Sequence, residues 1–427
     1  MKPLRILIVT TYGFDAAFPS RPEQLQARAL IARGHQVIAH EYRDRRYAGQ
    51  TPRHEWLEGG IPVHRSITWG FFAPEALLRM IAAERPDVVH IHHLRNLLSF
   101  QAVQVARRLG IPTLMTVHGL LHDGDLVVDR ERPLEAPLRF NNLLLTPGQL
   151  LRRLARGAHP RRAVRNYLIH APLRHVDHLI ALSQHEAHLL SELGIAPHRI
   201  SVIPNAVDLA PYQPTAVPLY GRSALRPDAP PHPVTSSPRP MLLFIGQLVP
   251  RKGYDLLARA LPTVLAAVPE TNVVLVSHNR RDEAELQRLL AAGGTAERVT
   301  LRGRVSESEK IALLRQAAVV VAPSRYEGFG IPLIEALAAG APVVTTDVPA
   351  GNEVISHEHT GLLTPYGDVA ALATAIIRLL TDRPLAQQLA TSGQHAVFAR
   401  YGTDQVAAAL EALYWQMIAV PAPLTPR

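Results

Sequence analysis

The feature that most constrains this chain is an alternation of short apolar, β-rich runs with stretches of helical period, made twice over and interrupted once. The first series runs Leu4 to Thr10, a helix over Pro22 to Arg33 ending at Gly34, then Val37 to Glu41, a βαβ opening. It continues with Val88 to His92, a helix over Leu97 to Leu109 stopped by Gly110, and strands over Thr113 to His118, His178 to Ser183 and Ile200 to Ile203. Strands that are apolar along their length and separated by helices predict a buried parallel sheet. The pattern fails between Pro211 and Pro240, where Pro and Ser are frequent and little can be buried.

A second series then begins at Met241 to Ile245, with a helix near Tyr254 to Val268 and a strand over Val273 to Ser277. A helix near Asp282 to Ala292, strands Val299 to Arg302 and Val319 to Ala322, a helix near Pro332 to Ala339 and the strand Val343 to Thr346 follow, and a helix near Thr403 to Met417 closes the chain. The predicted class is α/β, with two doubly wound domains: residues 1–210, a linker or edge loop over 211–240, and residues 241–400. Residues 401–427 form a terminal helix and tail expected to return to the first domain. Two such domains facing one another would share a cleft at the carboxyl ends of their sheets, where nucleotide-like ligands bind.

At 427 residues the chain can bury two cores. No apolar run reaches the roughly 18 residues of a membrane span, so a cytoplasmic location is expected. The absence of cysteine excludes disulfide frameworks, thiolate metal sites and cysteine nucleophiles. The charge is lopsided: residues 1–200 carry 26 Lys and Arg against 17 Asp and Glu, whereas residues 201–427 carry 19 of each. From residue 136 to 176 there are eight arginines, Arg139, Arg152, Arg153, Arg156, Arg161, Arg162, Arg165 and Arg174, and no acid. Leu150, Leu151 and Leu154 lie among them, a mixture suited to a basic amphipathic helix on an anionic membrane face, although a plain surface helix fits equally. Nucleic acid is not expected as a partner, because stacking aromatics and a reading motif are missing.

The most informative segment is Pro323-Ser-Arg-Tyr-Glu-Gly-Phe-Gly-Ile-Pro-Leu-Ile-Glu-Ala-Leu-Ala-Ala-Gly340. It leaves a buried strand through a glycine loop into a helix whose first turn accepts Pro332 and whose end is Gly340. Gly328 and Gly330 allow close approach of backbone to ligand, and the N–H groups at the helix start favour an anion such as a diphosphate. Glu327 and Glu335 are two helical turns apart and suit sugar hydroxyls.

Glu327-x7-Glu335 around Gly-Phe-Gly resembles the signature of retaining GT-B glycosyltransferases of family 4, the group 1 transferases, and the likeness extends over nearly the whole chain. Ile203-Pro-Asn-Ala-Val-Asp208, Gly246-Gln-Leu-Val-Pro-Arg-Lys-Gly253, Gly351-Asn-Glu-Val-Ile355 and Val117-His-Gly119 resemble further motifs of the family in the family's order. The resemblance implies that Glu327 contacts the donor sugar, Glu335 the nucleotide ribose, Lys252 the diphosphate and His118 the sugar or phosphate. Gly328, Phe329, Gly330 and Ile331 would complete the donor loop. Gln247 stands where the family often has Arg, with Arg251 as a substitute. The family's N-terminal glycine pair is absent, which leaves Gly13 to shape the acceptor side, and His122 and Asp123 either line it or form a solvated loop.

These assignments imply transfer from a UDP- or GDP-linked sugar to a sugar or lipid-linked acceptor, with retention of configuration and with neither a cofactor nor a metal required. Polysaccharide, glycolipid or glycoconjugate synthesis at the inner membrane face would use such an enzyme. Two rivals stay open: a sugar-nucleotide epimerase of the same fold, and a catalytically silent partner subunit. His90, His92 and His93 invite a metal, but strand alternation sets His93 apart from the other two, and no cysteine and few nearby acids complete a ligand set, so a strand-end polar cluster is the expected reading.

Overall fold

The computed structural model describes residues 2–11, 13–17, 19–44, 52–68, 74–93, 97–118, 127–128, 139–140, 146–213 and 239–419. The chain forms two units, Met1–Asp208 with Gly402–Arg427, and Leu209–Tyr401. The linker expected over 211–240 lies almost wholly outside the described residues.

Unit 1 is built on eight strands: β1 (Arg5–Thr11), β2 (Gln36–Asp44), β3 (His54–Leu57), β4 (Ile61–Thr68), β5 (Val88–His92), β6 (Thr113–Thr116), β9 (His178–Ala181) and β10 (Ile200–Val202), in the spatial order β10-β9-β6-β5-β1-β2-β4-β3. All neighbours are parallel except β3, which pairs antiparallel with β4 at the edge. A separate two-residue ladder joins β7 (Val127–Val128) to β8 (Arg139–Phe140). The helices are α1 (Pro22–Ala32), α2 (Pro74–Glu84), α3 (Leu97–Arg108), α4 (Pro147–Ala155), α5 (Pro160–His170), α6 (Pro172–His175) and α7 (Gln184–Glu192). The last helix, α15 (Thr403–Ala419), packs against α1 and puts Val406, Ala407, Leu410 and Tyr414 into the same core as Ile6, Ile8 and Leu30. At about 1.5–3 kcal/mol for each large apolar side chain removed from water, these contacts bind the end of the chain firmly to its beginning.

Unit 2 has six parallel strands, β11 (Met241–Ile245), β12 (Asn272–Val276), β13 (Val299–Arg302), β14 (Val319–Ala322), β15 (Val343–Thr346) and β16 (Leu362–Thr364), in the order β13-β12-β11-β14-β15-β16. Its helices are α8 (Tyr254–Ala267), α9 (Glu283–Ala292), α10 (Glu307–Gln316), α11 (Ile331–Ala338), α12 (Gly351–Val354), α13 (Val369–Thr381) and α14 (Arg383–Arg400). Val273, Val319, Val321 and Val344 are fully buried in one cluster with Leu257, Leu261 and Ile376 from the covering helices. That is the double cover that uninterrupted apolar strands require.

Candidate functional site

In each unit the first strand has neighbours that leave it in opposite directions, and the crevice at that reversal is where open α/β sheets bind ligands. In unit 2 it lies between β11 and β14. The loop after β11 ends in a single 3-10 turn, Pro250–Lys252, then Gly253 at φ 69° and α8. A Cβ on Gly253 would sit 1.8 Å from the Pro323 carbonyl oxygen, so the two crevice loops pass at a distance only glycine permits. They are tied by Arg325 N–H donating to the Arg251 carbonyl at 2.8 Å.

This contact brings Lys252 Nζ to 2.6 Å from Glu327 Oε1, which also accepts from Ser324 Oγ at 2.6 Å. Arg251 instead lies 6.0 Å over the Tyr326 ring, and Gln247 Nε2 is 3.4 Å from His278 Nε2, so neither joins the pair. Phe329 is buried edge-on to Tyr401, with ring centroids 5.6 Å apart. Gly330, at φ 92°, turns the chain so that Ile331 and Pro332 open α11, where Pro332 carries no N–H and Leu333 N–H donates to the Gly330 carbonyl at 2.9 Å.

Glu335, one residue past the middle of α11, binds Lys310 Nζ at 2.7 Å, and Lys310 also meets Glu307 at 2.8 Å. Burial pushes the Glu335 carboxyl up, with Lys310 only partly offsetting it. Burial alone would depress the Lys310 ammonium, but Glu335 and Glu307 together raise it. Two of the three lysines in the chain thus hold the two motif carboxylates. Neither Lys310 nor Ser324 was singled out from the sequence; the scarcity of lysine was the one available signal.

In unit 1 the reversal lies between β1 and β5. Gly13 follows β1, His93 follows β5 and His118 follows β6, and Glu23 stands in the first turn of α1. Glu23 Oε1 is 2.8 Å from His93 Nε2 and 3.9 Å from His118 Nε2, while His118 Nε2 is 2.8 Å from His92 Nδ1. Both His93 and His118 adopt left-handed backbone, at φ 68° and 56°, a local strain that side chains other than glycine rarely accept. Behind them His90 bonds Tyr414 OH and Thr116 Oγ1, each at 2.8 Å.

Burial holds the His118 and His92 rings neutral and brings His90 down to about 3. Burial alone would raise Glu23, but the hydrogen bond from His93 reverses this and lowers the carboxyl to about 2. A Cβ on Gly13 would meet Thr10 Cγ2 at 2.6 Å and Glu23 Cγ at 3.2 Å, so this glycine lets the loop pass over the cluster. The loop is pinned by Glu41, which accepts from Phe14 N–H at 3.0 Å and from Arg43 and Arg65, both of which also donate to the Phe14 carbonyl. His122 and Asp123 lie outside the described residues.

The expectation that the strand-end histidines lack the acids to complete a ligand set is corrected by Glu23. His93 leaves the strand in a left-handed turn, its ring stands 4.5 Å from that of His118, and Glu23 arrives from 70 residues away. One ligand atom each of Glu23, His93 and His118 lies within 4.8 Å of the others.

Residues 239–382 match the family model described as glycosyl transferases group 1, and residues 25–211 match that of glycosyltransferase family 4. Together the two matches cover most of the chain, one in each unit. The chain belongs to the group 1, family 4 glycosyltransferases. This glycosyltransferase is 38% identical over 175 residues to a phosphatidyl-myo-inositol mannosyltransferase of Mycobacterium leprae, a match that spans 40% of this chain and less than half, 46%, of the relative. A glycogen synthase of Mycobacterium tuberculosis is 28% identical over 86% of this chain and 78% of its own length. Among solved structures, a glycosyltransferase from Rickettsia africae aligns with TM-score 0.71 at 16% identity, over 99% of this chain and 100% of the other. The Anabaena protein HepE, solved with UDP and glucose, aligns at 0.68 and 18%, over 97% and 100%. The fold is GT-B.

The acid-free stretch of the glycosyltransferase is not one amphipathic helix. It holds α4 and α5, broken by Gly157 at φ 85° and restarted by Pro160, and the Arg139 backbone lies in β8. Thr146 and Gln149 form a reciprocal capping box that starts α4. No residue of α4 is buried, and Leu151 is 66% exposed. Helical spacing sets Leu150, Leu151 and Leu154 on one side and Arg152, Arg153 and Arg156 on the other. No described helix is long and apolar enough to cross a membrane.

Proposed function

We propose that this glycosyltransferase moves a sugar from a nucleoside diphosphate sugar to an acceptor hydroxyl with retention of configuration and without a required metal. The observation that carries this reading is the Lys252–Glu327 pair beside the Gly328–Gly330 loop at the crevice of unit 2. In the proposed cycle Lys252 shifts from Glu327 to the arriving diphosphate, where with the positive end of the α11 dipole it stabilises the charge that develops on the leaving phosphate. Glu327, released, holds the donor sugar, and Glu335 meets the ribose. His118 contacts the sugar or phosphate, and unit 1 takes the acceptor beside Gly13. No side chain is assigned as a nucleophile: departure and attack share one face, with the leaving phosphate assisting.

The acceptor is proposed to be a sugar or lipid-linked sugar at the inner membrane face, with α4 and its arginines resting on anionic lipid. The exposed Leu151 and the mycobacterial relative named for phosphatidyl-myo-inositol support this. Salt should then weaken liposome co-sedimentation, and binding to neutral vesicles at high salt would contradict it.

The donor proposal is tested by calorimetric titration with UDP and GDP, each with and without EDTA. Metal-independent binding of one supports it and identifies the base; binding of neither argues against it. Sugar release that needs no acceptor would instead favour an epimerase.

A further inference from the structure

We propose that Glu23, His93 and His118 form a binding site for a borderline divalent cation of the zinc class, and that an ion there withholds His118 from transfer. One carboxylate and two imidazoles each contribute a ligand atom within 4.8 Å of the others, and Glu23 Oε1, at 2.8 and 3.9 Å from the two ring nitrogens, brackets the roughly 3.4 Å that tetrahedral metal bonds of about 2.0–2.2 Å impose. Nitrogen-rich donors of this kind select zinc, cobalt or nickel over magnesium or calcium, which prefer all-oxygen shells.

Three features make the cluster more than a chance meeting. Glu23 is 3% exposed, and its Oε1 lies 2.8 Å from His93 Nε2, so a buried carboxylate faces an imidazole brought from a distant segment. The turns that aim His93 and His118 at Glu23 both use left-handed backbone, so two separate loops carry strain to produce one convergence. His92 Nδ1, at 2.8 Å from His118 Nε2, offers a further nitrogen at the edge of the group, and its own Nε2 is buried with no partner among the described residues. An ion binds His93 through Nε2 as the neutral ring whose one proton sits on Nδ1, and so takes the place of the hydrogen between Nε2 and Glu23 Oε1.

The test uses the full chain and Co²⁺ as a spectroscopic probe, with Zn²⁺ calorimetry beside it. Wild type should show visible ligand-field bands and displacement of Co²⁺ by Zn²⁺. Glu23→Gln and His93→Ala should each weaken Zn²⁺ binding at least about tenfold with an unchanged far-ultraviolet spectrum. His93, whose side chain is 37% exposed, keeps the test open if the buried Glu23 variant does not fold. His54→Ala controls for the exposed His54–His64 contact, 2.9 Å between ring nitrogens, and should bind as wild type. Absence of Co²⁺ bands in wild type, wild-type binding by folded His93→Ala, or loss of binding only in His54→Ala would each overturn the site. The block on transfer rests on the role proposed for His118 and is read separately: Zn²⁺ should inhibit wild type and spare nucleotide calorimetry. Binding without inhibition would overturn the block while leaving the site.

Discussion

The crevice of unit 1 and that of unit 2 occupy the same topological position and are built from opposite chemistry. In unit 1 the polar groups sit on or just beyond central strands and in the first turn of α1, and burial lowers the pKa of the His90, His92 and His118 rings. In unit 2 they sit on the crevice loops and on α10 and α11, and each carboxylate meets a lysine. A shared reversal of strand order beside the first strand therefore does not dictate electrostatics; the groups that pack against each side chain do.

The largest expected consequence is a difference in acid stability. A histidine whose folded pKa lies below its unfolded value contributes stability above about pH 6.5 that is lost as pH falls toward the folded value. For His90 the window runs from about 6.5 to about 3, and at about 1.4 kcal/mol per pH unit this ring alone costs several kcal/mol by pH 4. His40, brought down to about 3 by burial, adds to it. Glu23 loses its contribution between about 4.5 and 2, with the same sign. All three tryptophans, Trp56, Trp69 and Trp415, belong to unit 1, so their fluorescence reports that unit. It should change at a higher pH than the far-ultraviolet signal of the whole chain; coincident transitions would break the comparison. The raised Lys310 ammonium has the opposite effect in unit 2, with stability present below about pH 10.5 and lost above it.

Next in size is Gly253→Ala, which forces a Cβ against the Pro323 carbonyl in a left-handed residue and should destabilise unit 2 by about 3 kcal/mol or more. Nucleotide binding should vanish while the tryptophan transition stays. Gly13→Ala in unit 1 meets mainly side-chain atoms that can move, and a loss near 1–2 kcal/mol is expected. Equal thermal shifts for both would show that the two loop crossings are equally tight.

Lys252→Ala should weaken UDP or GDP binding about 10- to 100-fold, the worth of a charged hydrogen bond, whereas Glu327→Ala should chiefly lower kcat. Wild-type kinetics in both variants would remove the donor site from this crevice. The smallest effect is expected from Leu151→Ala on α4, within about 0.5 kcal/mol in stability, with reduced binding to anionic vesicles as its readout.

Much of the fold was legible because a parallel sheet covered on both faces demands apolar runs, and β1, β5, β11 and β14 announce themselves. The edge pair β3 and β4 did not, since His54–Leu57 and Ile61–Thr68 mix polar and apolar residues as a partly solvated hairpin can. In the donor crevice Glu327, Glu335 and Lys252 were readable from loop and helix spacing together with family likeness. Lys310 and Glu23 were not, because each reaches its partner through the sheet's crossovers rather than along one element.

The amino-acid sequence by itself determined where the apolar central strands and the helices between them lie and which turns require glycine, because those depend on neighbours within a few residues. Only the tertiary structure decided that Glu23 meets His93 and His118, that each motif carboxylate has its own lysine, and which of these groups carry charge. Charge state depends on how much water remains around a group and on what stands within a few ångströms, and both are set by segments far apart in the chain.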